Sequence, residues 1–255
     1  MTIEQGGRPV VVVTGAAQGL GYATALRLAA DGFLVAVNDI SDDRRLTELA
    51  ERVGGLAVPG DIADPDAVTA MIATVVARLG GVDALVANAA AMAMGPFLEQ
   101  SALDWWRQID VNLSGHFRLV QAVVPHMRAA GGGRIVLIAS EWGVSGHANA
   151  TAYAASKAGL IALAKGLARE LGPEGILSNA IAPAYIDTEQ LQVDADDAGV
   201  SLAQMRQQYR DLIPTGQLAT VDDIAGAVAF LVGPGGSAAV GQVLQPNGGV
   251  VRTRA

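Results

Sequence analysis

Seven short apolar runs punctuate this chain, and stretches of helical periodicity separate them. The runs are Val10–Thr14, Phe33–Val37, Leu56–Val58, Ala84–Ala87, Arg134–Ala139, Ile176–Ile181 and Val243–Gln245. Continuous apolar runs, lacking the polar alternation of a half-exposed strand, are what strands buried on both faces of a parallel sheet look like. Parallel neighbours need a crossover, usually a helix. The alternation therefore predicts repeated βαβ units forming a doubly wound α/β domain, seven parallel strands with helices on both faces. Helix starts are readable at Asp64 before Pro65, at Ser101 with Asp104 three residues on, and at Thr220 with Asp223. Each offers a side-chain oxygen to the unpaired N–H groups of a first turn.

One stretch breaks the rhythm. Residues 188–214 are too many for an ordinary αβ connection, and they carry a capping pair of their own, Ser201 with Gln204. Leu202, Met205, Tyr209 and Leu212 fall on one helical stripe, which predicts an amphipathic lid folded over a site at the strand ends. No long linker, tandem repeat or low-complexity tract divides the 255 residues, so the expectation is one domain over residues 1–255.

Bulk properties exclude several function classes. The formal net charge is −8, which disfavours nucleic acid and anionic membranes as partners. Apolar residues make up 51% of the chain, yet no run approaches the ~18 residues that a membrane span requires. The excess apolar surface is expected to be buried between subunits. Val10–Val13 is too short for a signal-peptide core, and the expected location is cytoplasmic. Zero cysteines exclude disulfides and thiolate catalysis. His116, His126 and His147 lack metal-ligand spacing, and no metal site is expected. The run Asp194–Gly199 starts like a calcium loop but has Ala198 and Met205 at ligand positions; it reads as a solvated lid tip.

The first apolar run leads into Thr14-Gly15-Ala16-Ala17-Gln18-Gly19-Leu20-Gly21 and then an alanine- and leucine-rich helix. Glycines at such a turn let the backbone approach a pyrophosphate, whose charge the helix N-terminus favours. Asp39, at the end of the second run, is the acidic residue expected about 20 positions on to bond the adenosine ribose. Its charge repels a 2′-phosphate, and Ala16, Ala17, Gln18 and Ile40 supply no cation to hold one, so NAD is the expected cofactor. Arg44 and Arg45 are the basic residues close enough in sequence to oppose this. Asp61 and Ile62 end the third unit, where an adenine would lie.

Further along, Tyr153 is followed four residues later by Lys157. On a helix the two share a face. An ammonium there stabilises a tyrosinate that a free phenol, with a pKa of about 10, rarely forms at neutral pH.

These segments occur in an order and spacing that resembles the short-chain dehydrogenase/reductase family: the glycine loop, Asp39, Asp61, Val111-Asn112-Leu113-Ser114-Gly115, Gly133-Arg134-Ile135-Val136 leading to Ser140, then Tyr153 and Lys157. The likeness runs from Val10 to about Gly249. It implies a Rossmann-like fold and an oxidoreductase interconverting a secondary alcohol and a ketone. By resemblance Ser140 bonds the substrate oxygen, Tyr153 is the acid/base, Lys157 lowers the phenol's pKa and binds the nicotinamide ribose, and Asn112 holds a water in a proton relay. The cofactor set it implies is Gly15, Gln18, Gly19, Leu20, Gly21, Asp39, Asp61, Ile62, Asn88, Ala89, Tyr153, Lys157, Pro183, Ile186 and Thr188. Departures from the family pattern are Ala87-Asn88-Ala89-Ala90 for Asn-Asn-Ala-Gly, Pro183-Ala184 for Pro-Gly, Gln217 for a common arginine, and Asn247 for aspartate.

For the substrate side, Ser140, Trp142, Tyr153 and Tyr185 are expected to make contact. With Glu141, Met92, Met94 and His147 they predict a pocket for a largely apolar small molecule bearing one carbonyl. Ala154, Ala158, Gly159 and Ala162 allow close helix packing, and the resemblance implies a homotetramer built through such helices. Two rivals stand beside this reading. One is a 3-oxoacyl-carrier-protein reductase, which would be expected to prefer NADPH and to show a basic docking patch; the other is a noncatalytic NAD-binding regulator.

Overall fold

The computed structural model describes residues 7–40 and 44–251. Seven strands form one parallel sheet in the order β3-β2-β1-β4-β5-β6-β7. They are β1 (Val10–Thr14), β2 (Leu34–Asn38), β3 (Leu56–Ala57), β4 (Ala84–Ala87), β5 (Gly133–Ile138), β6 (Ile176–Ile181) and β7 (Val243–Leu244). All seven apolar runs are strands, with ends shifted by at most a residue or two. Phe33 falls outside β2 because its N–H bonds the carbonyl of Leu28, closing the preceding helix.

The crossovers are α1 (Gly19–Ala30), α2 (Arg44–Arg52), α3 (Pro65–Leu79), α4 (Ala102–Ile109), α5 (His116–Ala129), α6 (Trp142–Ser145) and α7 (Thr151–Leu171). Then come α8 (Gln190–Asp197), α9 (Leu202–Leu212) and α10 (Val221–Val232). Alternation along the strands builds two cores. Val10 and Val12 of β1 join Leu85, Met71, Leu119 and Leu160 under α3, α5 and α7. Val11 and Val13 join Val86, Leu28, Leu46 and Ile224 under α1, α2 and α10. Pairing of β1 with both β2 and β4 places the reversal of strand order at the β1/β4 ends, where ligands bind in open α/β sheets.

The anticipated caps are present. The Asp64 carboxylate accepts from the N–H groups of Asp66 and Ala67, and Ser101 accepts from Asp104. Thr220 with Asp223 and Ser201 with Gln204 form reciprocal capping boxes.

Two features depart from the sequence reading. Between α4 and α5 the chain widens into a π-helical segment, Asp110–Gly115, a form of turn that is often found at functional sites. A Cβ on Gly159 would stand 2.8 Å from the Leu113 side chain of that segment, so this glycine's smallness serves packing within the chain. The segment expected to be a lid folds as two helices, α8 and α9, around a small core of Leu191, Ala195 and Met205. Leu202 and Tyr209 pack on it, but Leu212, the fourth member of the expected stripe, is 56% exposed.

The β1–α1 turn depends on backbone contact. A Cβ on Gly21 would lie 2.0 Å from the Gly15 carbonyl oxygen, and a flexible side chain cannot yield there because the obstacle is backbone. Gly21→Ala is expected to lower stability by about 1–3 kcal/mol, read as a lower urea midpoint; an unchanged midpoint would show that the turn relaxes freely.

Candidate active site

A cleft of about 460 Å³ opens at the β1/β4 ends. It is lined by the glycine loop, the ends of β2, β4, β5 and β6, the start of α7 and the lid. Of the residues expected at a cofactor, Gly15, Gln18, Gly19, Leu20, Asp39, Asp61, Ile62, Asn88, Ala89, Tyr153, Lys157, Pro183, Ile186 and Thr188 line this cleft. Gly21 sits beneath it, packed on Gly15. On the substrate side Ser140, Trp142, Tyr153 and Tyr185 line it as well.

Tyr153 and Lys157 share a face of α7, with Nζ 5.3 Å from the phenol ring centroid. The Ser140 hydroxyl, at the end of β5, accepts from the Trp142 N–H at 3.2 Å and lies close enough to the phenol to oppose the rise in its pKa. Lys157 is buried, and its ammonium donates to the Ile138 carbonyl at 2.7 Å rather than to Tyr153. Burial dominates both titrations. It pushes the Tyr153 phenol up to about 12, with Ser140 opposing and the Asp194 charge reinforcing, and it lowers Lys157 to about 7. In this conformation the phenol is therefore raised rather than lowered, because the neighbouring cation is engaged elsewhere and the pocket withholds solvent.

Asn112 lies behind the cleft in the π-helical turn, entirely buried. Its Oδ1 accepts from the Ala91 N–H at 2.7 Å, and its Nδ2 donates to the Ala91 carbonyl at 2.8 Å and to Ser156 Oγ at 3.2 Å. The side-chain amide thus clasps the segment after β4. His116, next along, is also buried, and burial lowers it to about 3, so it is neutral; its Nε2 donates to the Ala87 carbonyl. Among the described residues no group of histidine, aspartate or glutamate has metal-site geometry.

On the cofactor side, α1 begins without a side-chain cap and without an acidic residue in its first turn, leaving its N–H groups and dipole for an anion. Gly15 and Gly19 have φ values of +64° and +55°, conformations that glycine adopts without strain. Asp39 accepts from the N–H groups of Ala17 at 3.0 Å and Ile40 at 2.8 Å, and a carboxylate so held retains capacity for ribose hydroxyls. Asn88 Nδ2 donates to the carbonyls of Thr14 and Gly15. Asp61 pairs with Arg107 at 2.9 Å. Burial raises Asp61, but the Ala63 N–H and the two nearby arginines outweigh it, and its carboxyl titrates below the usual range. Ala90, in place of the family's glycine, lines the cleft with its methyl exposed.

The wall of the cleft expected to face a substrate is aromatic. Trp142 stacks on His147 at 3.9 Å and meets Tyr153 edge-on at 5.9 Å; Tyr185 stacks on Tyr209 of α9 at 4.2 Å. Met92 lines the cleft, whereas Met94 is 41% exposed. Glu141 is buried and bonded by Ser145, and burial raises its pKa. Sequence reasoning missed Arg107, Asp194 and Tyr209. Asp194 is half-buried and lines the cleft rather than standing at a solvated tip. The apolar residues Leu191 and Ala195, four apart and both buried, are the helical signal for this segment, and the acidic run around them obscures it.

The family model described as enoyl-(acyl carrier protein) reductase matches residues 15–251. The chain belongs to the short-chain dehydrogenase/reductase family. Among its relatives is a short-chain dehydrogenase/reductase, eriH, of Hericium erinaceus, 38% identical over 94% of this chain and 96% of the relative. A 3-oxoacyl-(acyl-carrier-protein) reductase of Staphylococcus aureus is 34% identical over 94% and 96%. A cis-4-hydroxycyclohexanecarboxylate dehydrogenase of Sinomonas cyclohexanicum is 36% identical over 94% and 95%. Members of this short-chain dehydrogenase/reductase family are oxidoreductases that bind a nicotinamide cofactor, and the uncapped α1, the backbone-tight glycine turn and the Asp39 carboxylate fit such a group. Among the described residues no helix is long and apolar enough to cross a membrane.

The Lys157 shift carries a stability consequence. Its folded pKa lies below its unfolded value, so between about pH 7 and about 10.5 the unfolded chain binds the extra proton and stability rises with pH. Without added cofactor, the wild type is expected to gain stability relative to Lys157→Met across that window. Parallel urea-midpoint curves for the two proteins would contradict it.

Proposed function

We propose that the protein is an NAD-dependent oxidoreductase interconverting a secondary alcohol and a ketone, with Tyr153 as acid/base. One observation carries the reading: Ser140, Tyr153 and Lys157 converge at the base of the same cleft whose other wall is the glycine loop. Ser140 Oγ, which lines the cleft beside the phenol, holds the substrate oxygen. Tyr153 passes the proton to or from that oxygen. When bound, nicotinamide supplies the hydride acceptor or donor, and the chain's share is positioning and electrostatics.

A phenol pushed up to about 12 keeps its proton at neutral pH, which suits protonation of a ketone undergoing reduction. For the reverse direction the phenol's proton affinity must fall. Turning Lys157 Nζ from the Ile138 carbonyl toward Tyr153 supplies that drop, since a cation within a few ångströms favours the phenolate. Lys157 also serves as the donor for ribose hydroxyls, and Asn112 holds the π-helical turn beside the relay. The site fits a small-molecule substrate; the exposed apolar side chains Leu103, Trp106 and Phe117 of α4 and α5 support assembly as a homotetramer. All of the site's elements belong to residues 7–251, which we read as one domain.

Tyr153→Phe is expected to reduce NADH-linked turnover of a responsive ketone about 10²–10⁴-fold while NAD binding, followed by calorimetry, stays intact. A variant that turns over normally would remove Tyr153 from the acid/base role, and a wild type that binds NAD but turns over no alcohol or ketone would favour the regulator reading.

Asp39 supports NAD over NADP by repulsion of a 2′-phosphate. A specific contact favours the opposite reading: Arg45 Nη1 donates to Gln18 Oε1 at 2.9 Å, placing a guanidinium at the loop. The wild type is expected to prefer NAD by at least about tenfold in kcat/KM, and Asp39→Asn to shrink that preference as the charge repulsion is lost. Equal use of both cofactors by the wild type would assign the phosphate to Arg45.

A further inference from the structure

The proposed alcohol–ketone chemistry leaves the substrate's charge open, and the lid answers it. Two cations line the cleft among the described residues, Arg107 and Lys157. Arg107 is paired with Asp61 at 2.9 Å, and Lys157 is turned onto the Ile138 carbonyl. The wall facing Tyr153 is apolar and aromatic, with Met92, Trp142, Tyr185, Leu191 and Tyr209. It contributes one charge, Asp194. Glu189 also lines the cleft, but on the loop side, with Oε2 3.8 Å from where a Cβ on Gly19 would stand.

Asp194 is held in place. Gln190 Nε2 donates to its Oδ1 at 3.1 Å, and the Tyr209 hydroxyl donates to its Oδ2 at 3.2 Å. A carboxylate has about four acceptor positions, so each oxygen keeps capacity for a ligand donor. Tyr209 is in turn stacked on Tyr185, and aromatic faces beside a carboxylate are the environment a desolvated ammonium favours. The Asp194 charge reaches the reaction centre, being one cause of the raised proton affinity of Tyr153. A carboxylate substrate entering this wall would meet a like charge at Asp194, with Arg107 already paired and Lys157 held at the Ile138 carbonyl.

We propose that Asp194 is a specificity-determining residue that selects alcohols and ketones carrying a protonated amine and rejects those carrying a carboxylate. The proposal rests on the dehydrogenase reading, and the test separates the two. Three cyclohexanones bearing a dimethylaminomethyl, a hydroxymethyl or a carboxylate group at the same ring position are compared, with wild type and Asp194→Asn. Both calorimetric binding to the cofactor-loaded protein and steady-state turnover are read. In the wild type the amine is expected to bind and turn over best and the carboxylate worst. In Asp194→Asn the amine-to-carboxylate ratio falls by about tenfold or more, through KM rather than kcat, as removal of one partly buried charge requires. A wild type that accepts the carboxylate as well as the amine, or an unchanged ratio in the variant, overturns the proposal. Charge-ordered binding without turnover upholds Asp194 while removing the dehydrogenase reading; turnover without charge order does the reverse.

Discussion

Everything at the strand ends hangs on the clamp between β1 and β4. Thr14 Oγ1 accepts from the N–H groups of Asn88 and Ala89, and Asn88 Nδ2 returns two bonds to the carbonyls of Thr14 and Gly15. Parallel strands diverge where their crossovers leave in opposite directions, and the gap exposes backbone groups that need partners. Here the partners are each other, which draws the two strand ends together and leaves Gly15 with Ala89 at contact: a Cβ on Gly15 would lie 2.7 Å from the Ala89 Cα. The same closeness stacks Gly21 on Gly15 and aims the start of α1 into the cleft.

Tyr153 and Lys157, the pair proposed for proton transfer, show competition between burial and charge. Spacing alone puts Tyr153 and Lys157 on one face, and attraction between cation and phenolate argues for a depressed phenol. In the folded chain, desolvation wins for both, because each is enclosed and Lys157 finds a neutral carbonyl as partner. The pair is thus stored with the phenol protonated and the lysine, lowered to about 7, divided between its charged and neutral forms near pH 7, a state from which small rearrangements of one amine exert large leverage on the other group.

The architecture was legible because it is written in periodicity. Seven apolar runs became seven strands, and the caps at Asp64, Ser101, Ser201 and Thr220 form as their spacing indicates. The cofactor wall was legible because it is made of local motifs: a glycine turn and an aspartate at a strand end. What stayed hidden depends on contacts remote in sequence. Arg107 reaches Asp61 across 46 positions, and Asp194 enters the cleft because Met205 and Leu191 pack its helix down. The π-helical turn left no pattern of its own; its contacts, such as Leu113 against Gly159, are 46 positions apart in sequence. Leu212 carried the right spacing but lies past the reach of the lid's small core.

Gly143 shows where the aromatic wall of the cleft and the Tyr153–Lys157 helix touch. It sits in α6 beside Trp142, and a Cβ there would press to 2.7 Å on the backbone of Lys157 and Ala158. The turn that carries Trp142 therefore rests directly on the helix that carries Tyr153, with no side chain between them as a cushion. Met92 and Leu191 border the cleft away from α6 in sequence, whereas any side chain added at Gly143 would push α6 and α7 apart at the backbone.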